Sequence, residues 1–97
     1  MDTVNYEMSG TPKPFWATKG EFVDAMTKWG YTHTTLNKKT DMLIVADEDL
    51  GTLKCQKAEK YNIPIYTYRD AFARKEKLYI RVVRGKKLTN LKNISEE

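Results

Sequence analysis

Residues 42–46 read Met-Leu-Ile-Val-Ala, an apolar run without the polar alternation of a half-exposed strand. Such runs are typical of strands that are buried on both faces of a parallel sheet. Parallel strands are joined by crossover connections, usually helices, so this run predicts an α/β fold. The chain has 97 residues, which is enough for one domain with one modest core.

The rest of the sequence alternates between strand and helix patterns. Further strands are predicted at residues 3–9, 31–36 and 63–66, with a candidate fifth strand at 78–83, and helices at 18–29, 52–61 and from 67 onward. Thr18 and Glu21 form a capping box at the start of the first helix, and Gly30 ends it. Thr67 and Asp70 form a weaker version at the third helix.

Apolar spacing predicts that the buried side chains are Phe22, Ala25, Met26 and Trp29 in the first helix, Leu53, Ala58 and Tyr61 in the second, and Phe72 in the third.

Several classes of protein are excluded by composition. The single cysteine, Cys55, excludes an intramolecular disulfide framework, and with one histidine, His33, it leaves no ligand set for a Cys/His zinc site. The carboxylates of residues 47–49 are expected to be solvated, and no metal or cofactor is expected. No apolar run approaches about 18 residues, and the N-terminus lacks a signal pattern. We therefore expect a soluble protein of the cytoplasm, in a bacterial or virus-infected cell.

The charge of the chain is concentrated towards its C-terminus. The net charge is +4, and residues 69–92 carry nine basic against two acidic residues, whereas residues 1–68 carry eight against nine. Such a segment is typical of binding to a polyanion, although a solvated tail has the same composition. If the polyanion is DNA, the candidate backbone contacts are Arg81, Arg84, Lys86 and Lys87.

Short motifs stand at the joints of the predicted elements. They are Ser9-Gly10-Thr11, Thr18-Lys19-Gly20-Glu21, Trp29-Gly30, residues 39–45, Gly51-Thr52-Leu53-Lys54 with Lys57-Ala58, and Ile63-Pro64-Ile65. Together they resemble a BRCT domain, most of all the type at the C-terminus of bacterial NAD-dependent DNA ligases. The resemblance implies a BRCT-like domain at residues 1–75, with a four-stranded parallel sheet flanked by three helices. Residues 76–97 form a basic C-terminal extension that has no counterpart in the minimal domain. This extension contains the candidate fifth strand.

Members of this family have no catalytic activity of their own, and bind phosphate groups or mediate protein association. The resemblance implies that Ser9, Gly10 and Lys54 bind a phosphate. Similarity to DNA-end-binding members of the family, such as the large subunit of replication factor C, adds Lys19 to these phosphate-binding residues. These residue types suit the task, because a hydroxyl, an unobstructed backbone amide and a helix N-terminus donate hydrogen bonds while the ammonium groups supply charge. The sequence contains no phosphate-binding glycine loop or nucleophile motif, so no enzyme is expected.

Each of these features also has a purely structural interpretation. Ser-Gly at a strand end is common in ordinary turns, and exposed lysines commonly contact only solvent. Trp16 lies in a proline-flanked loop beside the predicted site, where its ring either packs over the sheet edge or stacks on an exposed nucleobase.

Three functions remain open at this stage. The first is a module that binds the 5′-phosphate of DNA ends or nicks during replication, repair or ligation. The second is an adaptor for a phosphorylated peptide or protein of replication or repair. The third is an interaction domain with a vestigial pocket, which forms a homodimer through its first helix or its added strand. A single domain lacks the second copy that phosphopeptide-binding BRCT pairs use, and this favours the first function.

Overall fold

The computed structural model describes residues 4–13, 15–75, 77–80 and 82–87. Four parallel strands form one sheet in the order β2-β1-β3-β4. The strands are β1 Asn5–Ser9, β2 Thr32–His33, β3 Met42–Val45 and β4 Ile65–Thr67, and the helices are α1 Lys19–Lys28, α2 Leu53–Lys60 and α3 Tyr68–Ala71. The predicted four-stranded parallel sheet with three helices is thus confirmed. None of the helices in the described ranges has the length and apolar character needed to cross a bilayer.

The central strand β3 is buried at all four residues, as its apolar run predicted. One face of the sheet packs against α1 and α3, and the other packs against α2. The first layer includes Tyr6, Met8, Ile44, Phe22, Met26, Tyr68 and Phe72, and the second includes Leu43, Val45, Cys55, Ala58 and Ile63. The core therefore has two layers separated by the sheet.

Two of the helices begin where the capping patterns predicted. The Thr18 hydroxyl accepts a hydrogen bond from the Glu21 amide at 3.1 Å, and the Glu21 carboxylate accepts one from the Ala17 amide at 3.1 Å. At α3 the Thr67 hydroxyl accepts a hydrogen bond from the Asp70 amide at 3.0 Å. Both caps satisfy amides that have no partner within the helix.

Helix α2 presents a different face to the core from the predicted one. Leu53 is 80% exposed, whereas Cys55 and Ala58 are buried. Consecutive residues of an α-helix are rotated by about 100°, so a side chain two positions before Cys55 points away from the buried stripe. The prediction that Leu53 is buried was therefore wrong, and the shorter Cys55 takes the inward position.

The described residues of the candidate fifth strand do not join the main sheet. Val82–Val83 forms β5, which pairs with β6, Lys86–Lys87, in an antiparallel hairpin. The hairpin turn places Arg84 at φ 53° and Gly85 at φ 83°, the left-handed pair of a type I′ turn. Leu78 and Val83 are each 1% exposed and pack into the α1 side of the core. The packed core therefore extends past residue 75, where the sequence had suggested a boundary.

Candidate anion-binding site

The carboxyl end of β1 meets the beginning of α2 at one edge of the sheet. In parallel α/β sheets this edge is where ligands commonly bind, because strands end there and the following helices begin there. The Ser9 hydroxyl donates a hydrogen bond to Asp49 Oδ2 at 3.1 Å, and Lys54 Nζ donates one to the Met8 carbonyl at 2.9 Å. The structure therefore brings Ser9, Gly10 and Lys54 to the same end of β1. We call Ser9, Gly10 and Lys54 the anion site, to which the carboxylate of Asp49 is bound.

Gly10 allows the Asp49 carboxylate to lie directly over the backbone. Its φ is 84°, a left-handed conformation that favours glycine. A Cβ atom on residue 10 would lie 2.5 Å from Asp49 Oδ2 and 2.7 Å from the Ala46 Cβ. On the inner side, the Tyr68 hydroxyl donates a hydrogen bond to the Gly10 carbonyl at 3.2 Å. The Ser9-Gly10 pair therefore forms a cradle that already holds a carboxylate oxygen.

Lys54 also has a structural role at the edge of β1. Strand β2 stops at His33, and the last backbone bond on that side runs from the Thr34 amide to the Tyr6 carbonyl at 2.8 Å. The polar groups of Met8 face the same side without a strand partner. Lys54 binds the Met8 carbonyl, and the Glu7 carboxylate accepts a hydrogen bond from the Met8 amide at 2.8 Å. Two side chains thus replace the missing strand.

The Glu7 carboxylate joins this edge to a histidine. Glu7 is 7% exposed, its Oε2 lies 3.5 Å from Lys54 Nζ, and its Oε1 lies 2.6 Å from His33 Nε2. His33 is an exposed residue of β2, whereas the role of Glu7 was not predicted from the sequence. Glu7 gave no distinct signal, because it occupies one of the polar positions that alternate with Val4, Tyr6 and Met8 along the strand.

Asp49 was the second residue of this region whose contacts the sequence did not reveal. It lies in a short 3₁₀ helix, Asp47–Asp49, which we call the acidic turn. All three of its carboxylates were expected to be solvated, but Asp49 binds Ser9, and Asp47 lies 3.2 Å from Arg69 Nε. Among the described residues, no group of His, Cys, Asp or Glu is arranged to hold a metal ion.

Lys19, predicted to bind the phosphate, and Trp16, a candidate for base stacking, make no hydrogen bond with the Ser9-Gly10 pair among the described residues. Lys19 is the first residue of α1 and is exposed, and it makes no hydrogen bond or ion pair with any described residue. Trp16 is 3% exposed and packs edge-on against Phe22 and Phe72, with ring centroids 4.9 and 5.1 Å apart. Of its two interpretations, packing is the one the structure shows, because burial of the large indole leaves no face for a nucleobase.

The basic hairpin lies at the opposite edge of the sheet from the anion site. Arg84 Nη1 donates hydrogen bonds to the Thr40 carbonyl at 2.8 Å and the Lys38 carbonyl at 3.5 Å. Lys86 Nζ lies 3.1 Å from Asp41 Oδ2, just before β3 begins. Both cations hold the hairpin against the loop between β2 and β3. Arg81 and the side chain of Lys87 lie outside the described part of the chain.

A shallow hollow of mixed charge adjoins the anion site. Its lining residues are Thr11, Lys13, Ala46, Asp47, Glu48, Tyr68 and Arg69. Thr11 continues the Ser9-Gly10 cradle into this hollow, and the acidic turn forms the facing wall.

No protein-family model, curated protein or solved structure matches the chain.

Two buried tyrosines lie behind the anion site. Burial is the main reason why the pKa of Tyr6 and that of Tyr68 are raised far above the usual value of 10.0. The charge of Glu7 adds to the effect on Tyr6, and Tyr6, Asp49 and Glu7 add to the effect on Tyr68. The Tyr6 hydroxyl has no hydrogen-bond partner among the described residues.

Stability is therefore expected to fall as the pH rises above 10. The unfolded chain releases its phenolic protons near pH 10, whereas Tyr6 and Tyr68 keep theirs in the folded state. The contribution of these raised pKa values is fully present below pH 10 and is lost above it, by about 1.4 kcal/mol per pH unit for each tyrosine. Urea unfolding between pH 8 and pH 11.5 measures this slope, which is the change in the free energy of unfolding per pH unit.

Three substitutions test which tyrosines cause this fall of stability with pH. Tyr6→Phe and Tyr68→Phe are each expected to remove about half of it, because each deletes one titrating group. Tyr79→Phe serves as the control, because Tyr79 is 55% exposed. A slope that stays the same in both core variants would show that other groups cause the loss of stability.

Proposed function

We propose that this chain is a non-catalytic BRCT-like module that binds a phosphate group at its anion site. The proposal is supported by the motifs at the element joints, the parallel sheet with three helices, and the meeting of Ser9, Gly10 and Lys54 at the carboxyl end of β1. The hydroxyl and the glycine provide close approach, and the ammonium provides positive charge.

One observation carries the proposal. The Asp49 carboxylate accepts a hydrogen bond from Ser9 and lies over Gly10, which is the place that a ligand oxyanion would take. Lys54 Nζ binds the carbonyl of the residue before Ser9. A phosphate oxygen in place of the carboxylate would keep the Ser9 bond, and its remaining oxygens would face the Lys54 charge.

The proposed ligand is the 5′-phosphate of a DNA end or nick, in replication, repair or ligation. Lys13 and Arg69 line the adjoining hollow, and Lys19 begins α1 at the same edge of the sheet. These exposed cations are suited to phosphates next to the bound one. Arg84 and Lys86 do not add to this surface, because they hold the hairpin at the other edge.

A phosphorylated protein is the second candidate ligand. Leu50 is 55% exposed and Leu53 is 80% exposed, and both flank the anion site next to Asp49 and Lys54. Exposed apolar side chains beside a charged site are typical of protein interfaces. The acidic turn would also repel a continuous DNA backbone.

Duplexes with and without a 5′-phosphate test the function. We expect fluorescence anisotropy at low salt to show at least about tenfold tighter binding of the phosphorylated duplex, and Ser9→Ala to abolish most of that preference, because one charge-assisted hydrogen bond contributes about 1.5–3 kcal/mol. Lys54→Gln should act in the same direction, since glutamine keeps a donor for the Met8 carbonyl without the charge.

Lys57→Gln is the matched control on the same helix, and it should change the affinity for both duplexes equally. If Ser9→Ala and Lys54→Gln leave the preference intact, the phosphate site is refuted. If no duplex binds at low salt while a phosphorylated peptide binds in a Ser9-dependent manner, the adaptor function replaces the DNA function.

A further inference from the structure

The anion site is occupied by a carboxylate of the same chain, that of Asp49. We propose that Asp49 competes with the ligand for Ser9 and thereby restricts the site to phosphate monoesters, excluding phosphodiesters and carboxylates. This inference rests on the proposed function. It assigns to Asp49 the role of a residue that determines specificity.

The competition follows from the contacts of Ser9 and Gly10. The Ser9 hydroxyl has one proton to donate, and Asp49 Oδ2 accepts it at 3.1 Å. The same oxygen covers Gly10, where even a Cβ atom would lie only 2.5 Å away. A ligand oxyanion therefore cannot reach Ser9 and Gly10 until the Asp49 side chain rotates away.

Rotation of that side chain does not require the loop to unfold. The Asp49 amide donates a hydrogen bond to the Ala46 carbonyl at 2.9 Å, and the Asp49 carbonyl accepts one from the Thr52 amide at 3.3 Å. These bonds hold the backbone of the acidic turn, while Asp49 as a residue is only half-buried. The release of Ser9 therefore needs a change of side-chain rotamer alone.

The charge of the ligand decides whether displacement is favourable. A tethered carboxylate has a high effective concentration at Ser9, so a free ligand with a single negative charge gains nothing by replacing it. A phosphate monoester carries between one and a half and two negative charges at pH 7, whereas a phosphodiester or a carboxylate carries one. The second charge increases the attraction to Lys54, whose ammonium binds the Met8 carbonyl and lies 3.5 Å from the carboxylate of Glu7.

Small probes test the selectivity directly. Methyl phosphate, dimethyl phosphate and acetate are titrated at pH 7.5, and the amide resonances of Ser9 and Gly10 are followed by NMR. We expect the wild-type chain to bind methyl phosphate at least about tenfold more tightly than the other two probes. Asp49→Asn should bind dimethyl phosphate about tenfold more tightly than the wild type does, because the neutral amide is a weaker competitor for Ser9.

Asp24→Asn is the control, since it makes the same chemical change at an exposed position on α1. It should leave the preference for methyl phosphate unchanged. If methyl phosphate binds the wild type but Asp49→Asn keeps the full preference, the role of Asp49 is refuted while the phosphate site stands. If methyl phosphate shifts neither resonance in the wild type or in Asp49→Asn, the proposed function fails as well.

Discussion

A chain shortened to residues 1–75 is expected to lose most of its stability. Leu78 and Val83 are each 1% exposed, and the Tyr79 amide donates a hydrogen bond to the Ala71 carbonyl at 2.8 Å. Truncating one buried leucine to alanine costs about 2–5 kcal/mol, and a whole domain of this kind is stable by about 5–15 kcal/mol. Removal of both side chains together with the hairpin contacts approaches that total. Urea unfolding followed by tryptophan fluorescence measures the loss.

Point substitutions separate packing from chain length. Leu78→Ala in the full chain is expected to cost about 2–5 kcal/mol, because the buried site cannot collapse fully. Tyr79→Ala, at the neighbouring exposed position, should cost much less. A shortened chain that unfolds at the same urea concentration as the full chain would place the core wholly within residues 1–75.

Gly10→Ala is expected to be the most damaging single change at the anion site. The left-handed φ of 84° alone costs about 1–2 kcal/mol for a residue with a Cβ atom. The added methyl would also lie 2.5 Å from Asp49 Oδ2 and 2.7 Å from the Ala46 Cβ. Asp49 can rotate away, but the Ala46 Cβ is fixed to the backbone, so we expect a total loss of about 3 kcal/mol or more in the free energy of unfolding.

Gly51→Ala is the matched control for this prediction. Its φ is 89°, and a Cβ atom there would meet nothing within 4 Å. It should show only the cost of the left-handed backbone, and the difference between the two variants measures the close contact at residue 10. Equal losses of stability would mean that the contact relaxes freely and that Gly10 is needed only for its backbone angle.

The sequence predicted the elements that depend on local signals. The apolar run of β3 and the Thr18 and Thr67 caps are specified by neighbouring residues, and the structure has them at the predicted positions. The meeting of Ser9 with Lys54 was expected from the family resemblance, because both positions follow from the order of strands and helices. These predictions do not depend on the exact register of a helix.

Features that depend on tertiary competition were not predictable from single residues. The inward face of α2 was misassigned because Leu53 is more apolar than Cys55, although the helix register points Leu53 to solvent. Asp49 has the composition of a solvated loop residue, and only its position over Gly10 reveals its contact with Ser9. Val82 and Val83 have a strong strand pattern, but the short Arg84-Gly85 turn pairs them with Lys86 and Lys87 in a local hairpin and not with the sheet.

The early end of β2 has a consequence for the solution behaviour of the protein. An unpaired stretch of strand backbone is a template on which another chain can add a strand, and charged groups placed there prevent intermolecular aggregation. The ammonium of Lys54 and the carboxylate of Glu7 occupy that stretch beside Met8. Lys54 and Glu7 thus place charged groups where a further strand would otherwise pair, and a phosphate that drew the Lys54 ammonium away from Met8 would leave that carbonyl open to strand addition.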